Sequence, residues 1–392
     1  MQEKSWAFEW RDIKKDLPRM KNKERYSRIP VGIIGCGNIS KIYALAGRKF
    51  EGIELVACAD IDVSRARALA EEEGIPRALD VLQLLADPGI VLVINLTIPR
   101  AHAEMTAKAI RAGKHVYSEK PLALRRREAR ECIGLARDKG LRIGCAPDTF
   151  LGAGLQTCRK LIDEGAIGVP LAGAGFMLTR GPESWHPNPE FLYKKGGGPL
   201  FDMGPYYLAA FTALLGSVKR VTGSARSSFK QREITSQPLA GTLIDVDVHT
   251  HVSAVLDFDS GPVVTLTTSF DVTGTRLPKI EIFGSEGTLA VPDPNTFGGP
   301  VWLLRRGEKE WREMPLEFGY AENSRGIGVA DMAAAIAAGR EHRANERLAY
   351  HVLDLMHSIV DASETGHHIE MRSAMSRPEP LPQGLPAGKV DC

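Results

Sequence analysis

Residues 29–40, IPVGIIGCGNIS, decide the fold. A short apolar run ends in two glycines, and a helix-like segment follows. Such a run, bounded by glycine, reads as a strand buried on both faces. GCGNIS places Gly35 and Gly37 at the first two positions of a G-x-G-x-x-G fingerprint, with Ser40 in place of the third glycine. Gly35 permits a tight turn, Gly37 lets the backbone approach a pyrophosphate, and a small Ser40 lets helix and strand pack closely. The helix that follows offers its free N–H groups to phosphate. The fingerprint alone is weak, and its context strengthens it: it follows a strand, opens a helix, and is followed by Asp60 at the end of the next apolar run.

Outward from this turn the pattern repeats. IELVACAD (53–60) and IVLVINLT (90–97) are apolar runs, and SRARALAEEEG (64–74) and AHAEMTAKAIRAGK (101–114) are helical. KHVYSEKPLAL (114–124) adds a strand, RRREARECIGLARDKG (125–140) a helix, and LRIGCAP (141–147) a short strand. Buried strands alternating with amphipathic helices predict a doubly wound parallel sheet, an α/β dinucleotide-binding domain over residues 30–147. Asp60 would grip the adenosine ribose hydroxyls. Its charge repels a ribose 2′-phosphate, Ile61 supplies no cation, and Arg65 lies a turn away, so the expected cofactor is NAD rather than NADP.

With 392 residues the chain exceeds one core's usual size and predicts two domains. A net charge of +2 gives no bulk field for nucleic acid or membrane binding. No run of eighteen apolar residues offers a membrane span. The charged first 29 residues lack the apolar core of a secretion signal and read as an arm; with no signal or span the expected location is cytoplasmic. The six cysteines are scattered without a C-x-x-C pair, which predicts reduced, mostly buried thiols and no metal site. The triplet Arg125–Arg127 reads as a charged helix face.

The second half alternates at period two. DVHTHVSAVLDF, GPVVTLTTSFDV, KIEIFGSEGTLAV and VWLLRRGEKEWREM predict strands, while IGVADMAAAIAAG and LAYHVLDLMHSIVDASETG predict helices. This gives a sheet with helices on one side over residues 148–372, and then a proline-rich tail, 373–392, expected to be extended or disordered. His249 and His251 share a strand face without a third ligand. Trp185 and His186, in the loop GPESWHPNPEF, are candidates for contacting the substrate, since aromatic faces suit the C–H side of sugars.

GCGNIS, CADID, TIPRAH, AIRAGKHVYSEKPLA and GGGPLFDMGPYY, in that order, resemble the Gfo/Idh/MocA oxidoreductases. The resemblance runs from about Pro30 to Met371. It implies a Rossmann domain followed by an α+β domain with a large, mostly antiparallel open sheet, and hydride transfer to or from sugars, glycosides or polyols. A homo-oligomer formed through that sheet is also implied. The cofactor shell would comprise Gly35, Gly37, Asn38, Ile39, Asp60, Ile61, Thr97, Pro99, His102, Glu119 and Lys120, with His102 in an orienting role and a cis Lys120–Pro121 bond aiming the lysine inward. Lys120, at the carboxyl end of a strand, is placed to polarise a substrate oxygen.

The family sets an Asp and, four residues later, usually a His beside the substrate. Here these positions are Asp202 and Tyr206, a departure that some relatives share. One helix starting near Asp202 would put both on a face, the three preceding glycines would let the loop approach the ligand, and Lys120 would lower the Tyr206 phenol pKa so that it serves as acid or base. Tyr207 is expected to pack. Two alternatives remain open: an NAD-binding metabolite sensor without turnover, and redox-assisted glycoside cleavage with retained NAD.

Overall fold

The computed structural model describes residues 28–391; residues 1–27 of the N-terminal arm and Cys392 lie outside them. The opening run forms strand β1 (Ile29–Ile34), and the rest of the first half follows in alternation: α1 (Ser40–Lys49), β2 (Ile53–Ala59), α2 (Val63–Glu73), β3 (Ala78–Leu79), α3 (Val81–Ala86), β4 (Leu92–Asn95), α4 (His102–Arg111), β5 (His115–Ser118), α5 (Arg126–Asp138) and β6 (Ile143–Cys145). The six strands form a parallel sheet in the order β3-β2-β1-β4-β5-β6. Val31 and Ile33 on β1, Val93 and Ile94 on β4 and Val116 on β5 are fully buried, each contributing roughly 1.5–3 kcal/mol by leaving water. Local signals set the helix ends. Asp62 caps α2 through the Ser64 amide, and Gly74 ends it at φ 65°.

The second half opens with α6 (Ala153–Asp163) and β7 (Pro170–Leu178), then α7 (Gly198–Asp202) and α8 (Gly204–Leu215). Strands β8 (Val218–Arg226), β9 (Gln231–Glu233), β10 (Leu243–Asp245), β11 (His251–Phe258), β12 (Val263–Ser269), β13 (Ile280–Gly284), β14 (Gly287–Val291), β15 (Val301–Arg305) and β16 (Arg312–Met314) follow. Helices α9 (Ile327–Ala338) and α10 (Glu346–Thr365) and strand β17 (Ile369–Glu370) complete the sequence of elements. Nine strands form one sheet, β16-β15-β14-β13-β7-β12-β11-β8-β17, with only the β7–β12 pair parallel. Along β11 the residues alternate between buried and half-exposed, so one sheet face is covered. Gly175 lies against Phe211 of α8 and Gly223 against Ile359 of α10, which identifies the covering helices. Helix α8 carries no charge and is buried along its whole length.

Two expectations are corrected here. Arg126 is not part of a solvated face: its guanidinium donates to Asp354 (2.5 Å), Asp361 (2.8 Å) and Ser358 (2.8 Å) of α10, tying the first sheet's last helix to the second half. The tail carries no regular element but is packed, with Leu381 and Val390 buried. Proline keeps it from forming helix, and outside groups satisfy its backbone. Gln156 accepts from the Leu381 amide (2.7 Å), Arg159 donates to the Pro378 carbonyl (3.0 Å), and the Gly388 carbonyl accepts from the Glu51 amide (3.1 Å).

Candidate active site

The site begins at the carboxyl edge of the parallel sheet, where the strand order reverses between the paired neighbours β1 and β4. Gly35 adopts φ 101°, and a Cβ there would lie 2.6 Å from the Leu96 carbonyl, so only glycine fits. A Cβ on Gly37 would meet nothing within 4 Å. Ser40 donates to the Gly37 carbonyl (2.6 Å) and closes the turn. Helix α1 has no side-chain cap and no acidic residue in its first turn, so no side chain competes with an anion at its positive end, although the Ser40 amide already donates to the Gly37 carbonyl (3.0 Å). The turn therefore has the open approach and donors that a pyrophosphate requires.

Asp60 is 8% exposed, and its two oxygens accept from the Cys36 amide (2.7 Å) and the Asp62 amide (2.9 Å). It thus fastens the glycine turn to the end of β2 as well as presenting charge there. Ile61 is almost fully exposed, and Arg65 is occupied by Asp62 (3.7 Å). Asn38 and Ile39 lie exposed in the turn, with Thr97 and Pro99 just past β4. His102 is different. It is 1% exposed, and its nitrogens lie 2.7 Å from the Pro121 carbonyl and 2.8 Å from the Thr97 carbonyl. Burial lowers its pKa, opposed by those two carbonyls. It joins two turns beneath the site and is not presented to a ligand.

After β5 the chain delivers Glu119 and Lys120. Glu119 accepts from the Tyr43 hydroxyl (2.7 Å) and from the Lys120 amide (2.9 Å), and the Lys120–Pro121 bond is cis. The Lys120 ammonium crosses to the second half, donating to the Asp202 carboxylate (2.8 Å) and carbonyl (2.6 Å). It lies 5.3 Å from the centre of the Tyr206 ring. Burial works against the ammonium, but Asp202, with Tyr206 and Glu119, outweighs burial and raises its pKa above the ordinary lysine value. Lys120 is thus a fixed cation.

The opening of the second half departs from expectation in three ways. Asp202 and Tyr206 do not share a helix: Asp202 ends α7, and Tyr206 lies in the first turn of α8. Pro205, which has no N–H to continue a helix but suits a first turn, separates the two. The glycines serve protein packing rather than ligand approach. A Cβ on Gly196 would meet Leu124 at 2.7 Å, one on Gly197 the Leu192 carbonyl at 2.5 Å, and one on Gly198 the His249 carbonyl at 2.8 Å. The Tyr206 phenol pKa is raised, because burial exceeds the opposing pull of Lys120. Tyr207 packs as expected, its hydroxyl on the Phe176 carbonyl (3.2 Å).

Trp185 is 69% exposed and forms an edge-packed aromatic series with His186 and Phe191. No ring contact or hydrogen bond joins Trp185 or His186 to Lys120, Asp202 or Tyr206 among the described residues. Their loop is pinned from below by Arg232, which donates to Glu183 (2.9 Å) and Asp271 (2.6 Å). His251 bonds Ser269 (3.0 Å) on the neighbouring strand β12, and no cluster of three metal-ligating side chains occurs among the described residues. Cys58, Cys132, Cys145 and Cys158 are buried free thiols, and Cys36 is a half-buried one. One residue near the site carried no sequence signal: Arg325, just before α9, held by Asn295 (2.7 Å), whose charge pulls the Tyr206 phenol down against the burial that raises it.

A six-stranded parallel sheet with a glycine turn, joined to a large open sheet across a lysine–aspartate contact, defines a two-domain nucleotide-dependent oxidoreductase. Residues 29–146 match the family described as "Oxidoreductase family, NAD-binding Rossmann fold", and residues 155–290 match the GFO/IDH/MocA C-terminal domain. The chain is 31% identical to dTDP-3,4-didehydro-2,6-dideoxy-alpha-D-glucose 3-reductase of Streptomyces violaceoruber, a match covering 72% of this chain and 79% of that protein. It is also 31% identical to D-glucoside 3-dehydrogenase of Escherichia coli, covering 64% and 73% respectively. A solved levoglucosan dehydrogenase, in complex with NADH and L-sorbose, superposes with TM-score 0.75 at 23% identity, covering 88% of this chain and 99% of that one. The chain belongs to the Gfo/Idh/MocA oxidoreductase family, and its first half is that family's NAD-binding Rossmann domain.

Proposed function

We propose that this protein is an NAD-dependent dehydrogenase of a sugar, glycoside or polyol, with Tyr206 as acid/base and Lys120 and Asp202 holding the reacting oxygen. The observation that carries this reading is the convergence of Lys120, Asp202 and Tyr206 from two halves of the chain on one point at the cofactor edge. The names of three relatives, a dTDP-sugar 3-reductase, a D-glucoside 3-dehydrogenase and a scyllo-inositol 2-dehydrogenase, support the substrate class. Bound there, nicotinamide supplies the hydride acceptor. The chain's own groups do the rest. The alcohol carbon gives up its hydride while the hydroxyl proton passes to the Tyr206 phenolate, leaving a carbonyl and a neutral phenol. Lys120, a permanent cation, stabilises the oxygen as its charge develops, and Asp202 keeps the ammonium aimed. In the reverse direction the phenol returns its proton to the carbonyl oxygen. A sensor without turnover would need none of these groups in register.

Asp60 and the lack of a cation beside it support NAD over NADP. Self-association is proposed through the uncovered face of the nine-stranded sheet, where Val255, Thr265, Ala174, Glu281, Ala290 and Trp302 lie in one cross-strand row. No helix among the described residues is long and apolar enough to cross a membrane, and a cytoplasmic location is part of the proposal. The test is a screen of sugars, inositols and glycosides for NADH formation, with NADP in parallel. Turnover with at least one such compound and NAD is expected; binding of NADH without turnover of any of them would replace the dehydrogenase with a sensor.

A further inference from the structure

Tyr43 and Glu119 are joined to Lys120 by a chain of hydrogen bonds that the proton transfer itself does not use. Tyr43, fully buried on α1, donates its hydroxyl to Glu119 Oε1 (2.7 Å), a residue 76 positions further along the chain. The second oxygen, Glu119 Oε2, accepts from the Lys120 amide (2.9 Å), and the Glu119 amide donates to the Asn95 carbonyl at the end of β4 (2.9 Å). The turn that carries Lys120 is therefore fastened both to β4 and to α1, the helix that the glycine turn opens. A buried phenol usually finds a partner, and a hydrogen bond to a carboxylate is among the stronger kinds. Burial, with Glu119 next, raises the Tyr43 phenol well above its usual range, so it stays a neutral donor.

We propose that Tyr43 is a positioning residue for the reaction: by holding Glu119 it keeps the Lys120 ammonium on Asp202 and aimed at the reacting oxygen. The inference rests on the reading of Lys120 as the group that polarises that oxygen. Both Glu119 oxygens are committed, one to the Tyr43 hydroxyl and one to the Lys120 amide. The Lys120 ammonium is thereby left to the Asp202 carboxylate (2.8 Å) and carbonyl (2.6 Å). Released from Tyr43, Oε1 is a free carboxylate oxygen beside the cation of the next residue, and it competes with Asp202 for that cation. A displacement of about an ångström in a group that meets the substrate costs on the order of a hundredfold in rate. Because α1 also follows the turn read as the pyrophosphate site, the same hydroxyl sets the lysine relative to the helix beneath the cofactor.

The test uses the full-length protein with NAD bound and its lysines labelled with 15N at Nζ, with Lys120→Met to assign the Lys120 ammonium resonance. Tyr43→Phe keeps the buried ring and removes the donor. The ammonium resonance should move from its wild-type position, and kcat should fall about ten- to a hundredfold while KM and the Kd for NADH change little. In a Glu119→Gln background, which has no carboxylate to release, Tyr43→Phe should cost little more. Losses that multiply in the double variant would overturn the proposal. So would a lower melting temperature with the resonance and kcat unchanged, which makes Tyr43 a packing residue, and so would weaker NADH binding with kcat unchanged. If phenylalanine is not tolerated, Tyr43→Met fills the space without a hydroxyl and is read in the same way. If the wild type turns over no sugar, inositol or glycoside, the dehydrogenase reading fails separately, while the resonance still reports whether Tyr43 governs Lys120.

Discussion

Asp60 is where one side chain carries both a structural and a selective burden. Its oxygens hold the Cys36 and Asp62 amides, so replacing it disturbs the turn as well as the charge. Asp60→Ser combined with Ile61→Arg should therefore weaken NADH binding and strengthen NADPH binding, measured by calorimetric titration; tighter binding of NADPH than NADH by the wild type would overturn the assignment. Asp148 makes a second prediction at this scale. Burial holds its carboxyl up at about 6, against the pull of the Gly328 and Gly326 amides. Because the folded state binds that proton more tightly than the unfolded chain, whose Asp titrates near about 4, this group's stabilising contribution is complete below the unfolded value and is lost as pH rises through about 6. Asp148→Asn keeps an acceptor for both amides and carries no charge. It should melt higher than wild type at pH 8, with the gap closing toward pH 4; a lower melting temperature at pH 8 would contradict this. Residues such as Lys120 and Asp202 were legible because motifs mark them. Arg325 was not, because a lone arginine before a helix has no periodicity or spacing that sets it apart from a surface cation.

Elements were readable where a backbone rule forces them. The turn around Gly35 follows from its positive φ, and Gly366 ends α10 at φ 70° as its sequence suggests. Reading was least reliable where proline and glycine leave several solutions. Spacing suggested one helix through Asp202 and Tyr206, yet Pro205 divides the segment, and the contact to Lys120 comes from the end of α7. Likewise the glycines at 196–198 read as room for a ligand, while Leu124 and the Leu192 and His249 carbonyls fill that room. The two fingerprint glycines permit a sharper test. Gly35→Ala must strain its backbone and collide with the Leu96 carbonyl, and should cost about 1–3 kcal/mol or more. Gly37→Ala meets nothing in the protein and should leave urea unfolding unchanged within about 0.5 kcal/mol, yet weaken NADH binding. Equal destabilisation by both would refute the distinction.

In the whole molecule, function depends on two halves meeting, and the chain joins them at several places. Arg126 bridges α5 to α10, Lys120 reaches Asp202, and the tail runs from Arg159 across to Glu51 beside the first sheet. The alternating patterns made each sheet legible. The links between them were not, because partners such as Arg126 and Asp361 are 235 residues apart and neither advertises the other. Removing residues 374–392 would take away the buried Leu381 and Val390, expose the surface they cover and strip partners from Arg159 and Gln156; the melting temperature should fall by at least about 2–4 °C, and an unchanged melt would show the tail to be passive. The account turns on Tyr206. Tyr206→Phe removes one hydroxyl and leaves the ring packed, so it separates chemistry from folding. On the substrate that wild type turns over, kcat should fall about a hundred- to ten-thousand-fold while the Kd for NADH barely moves; near-full turnover by Tyr206→Phe would contradict the account.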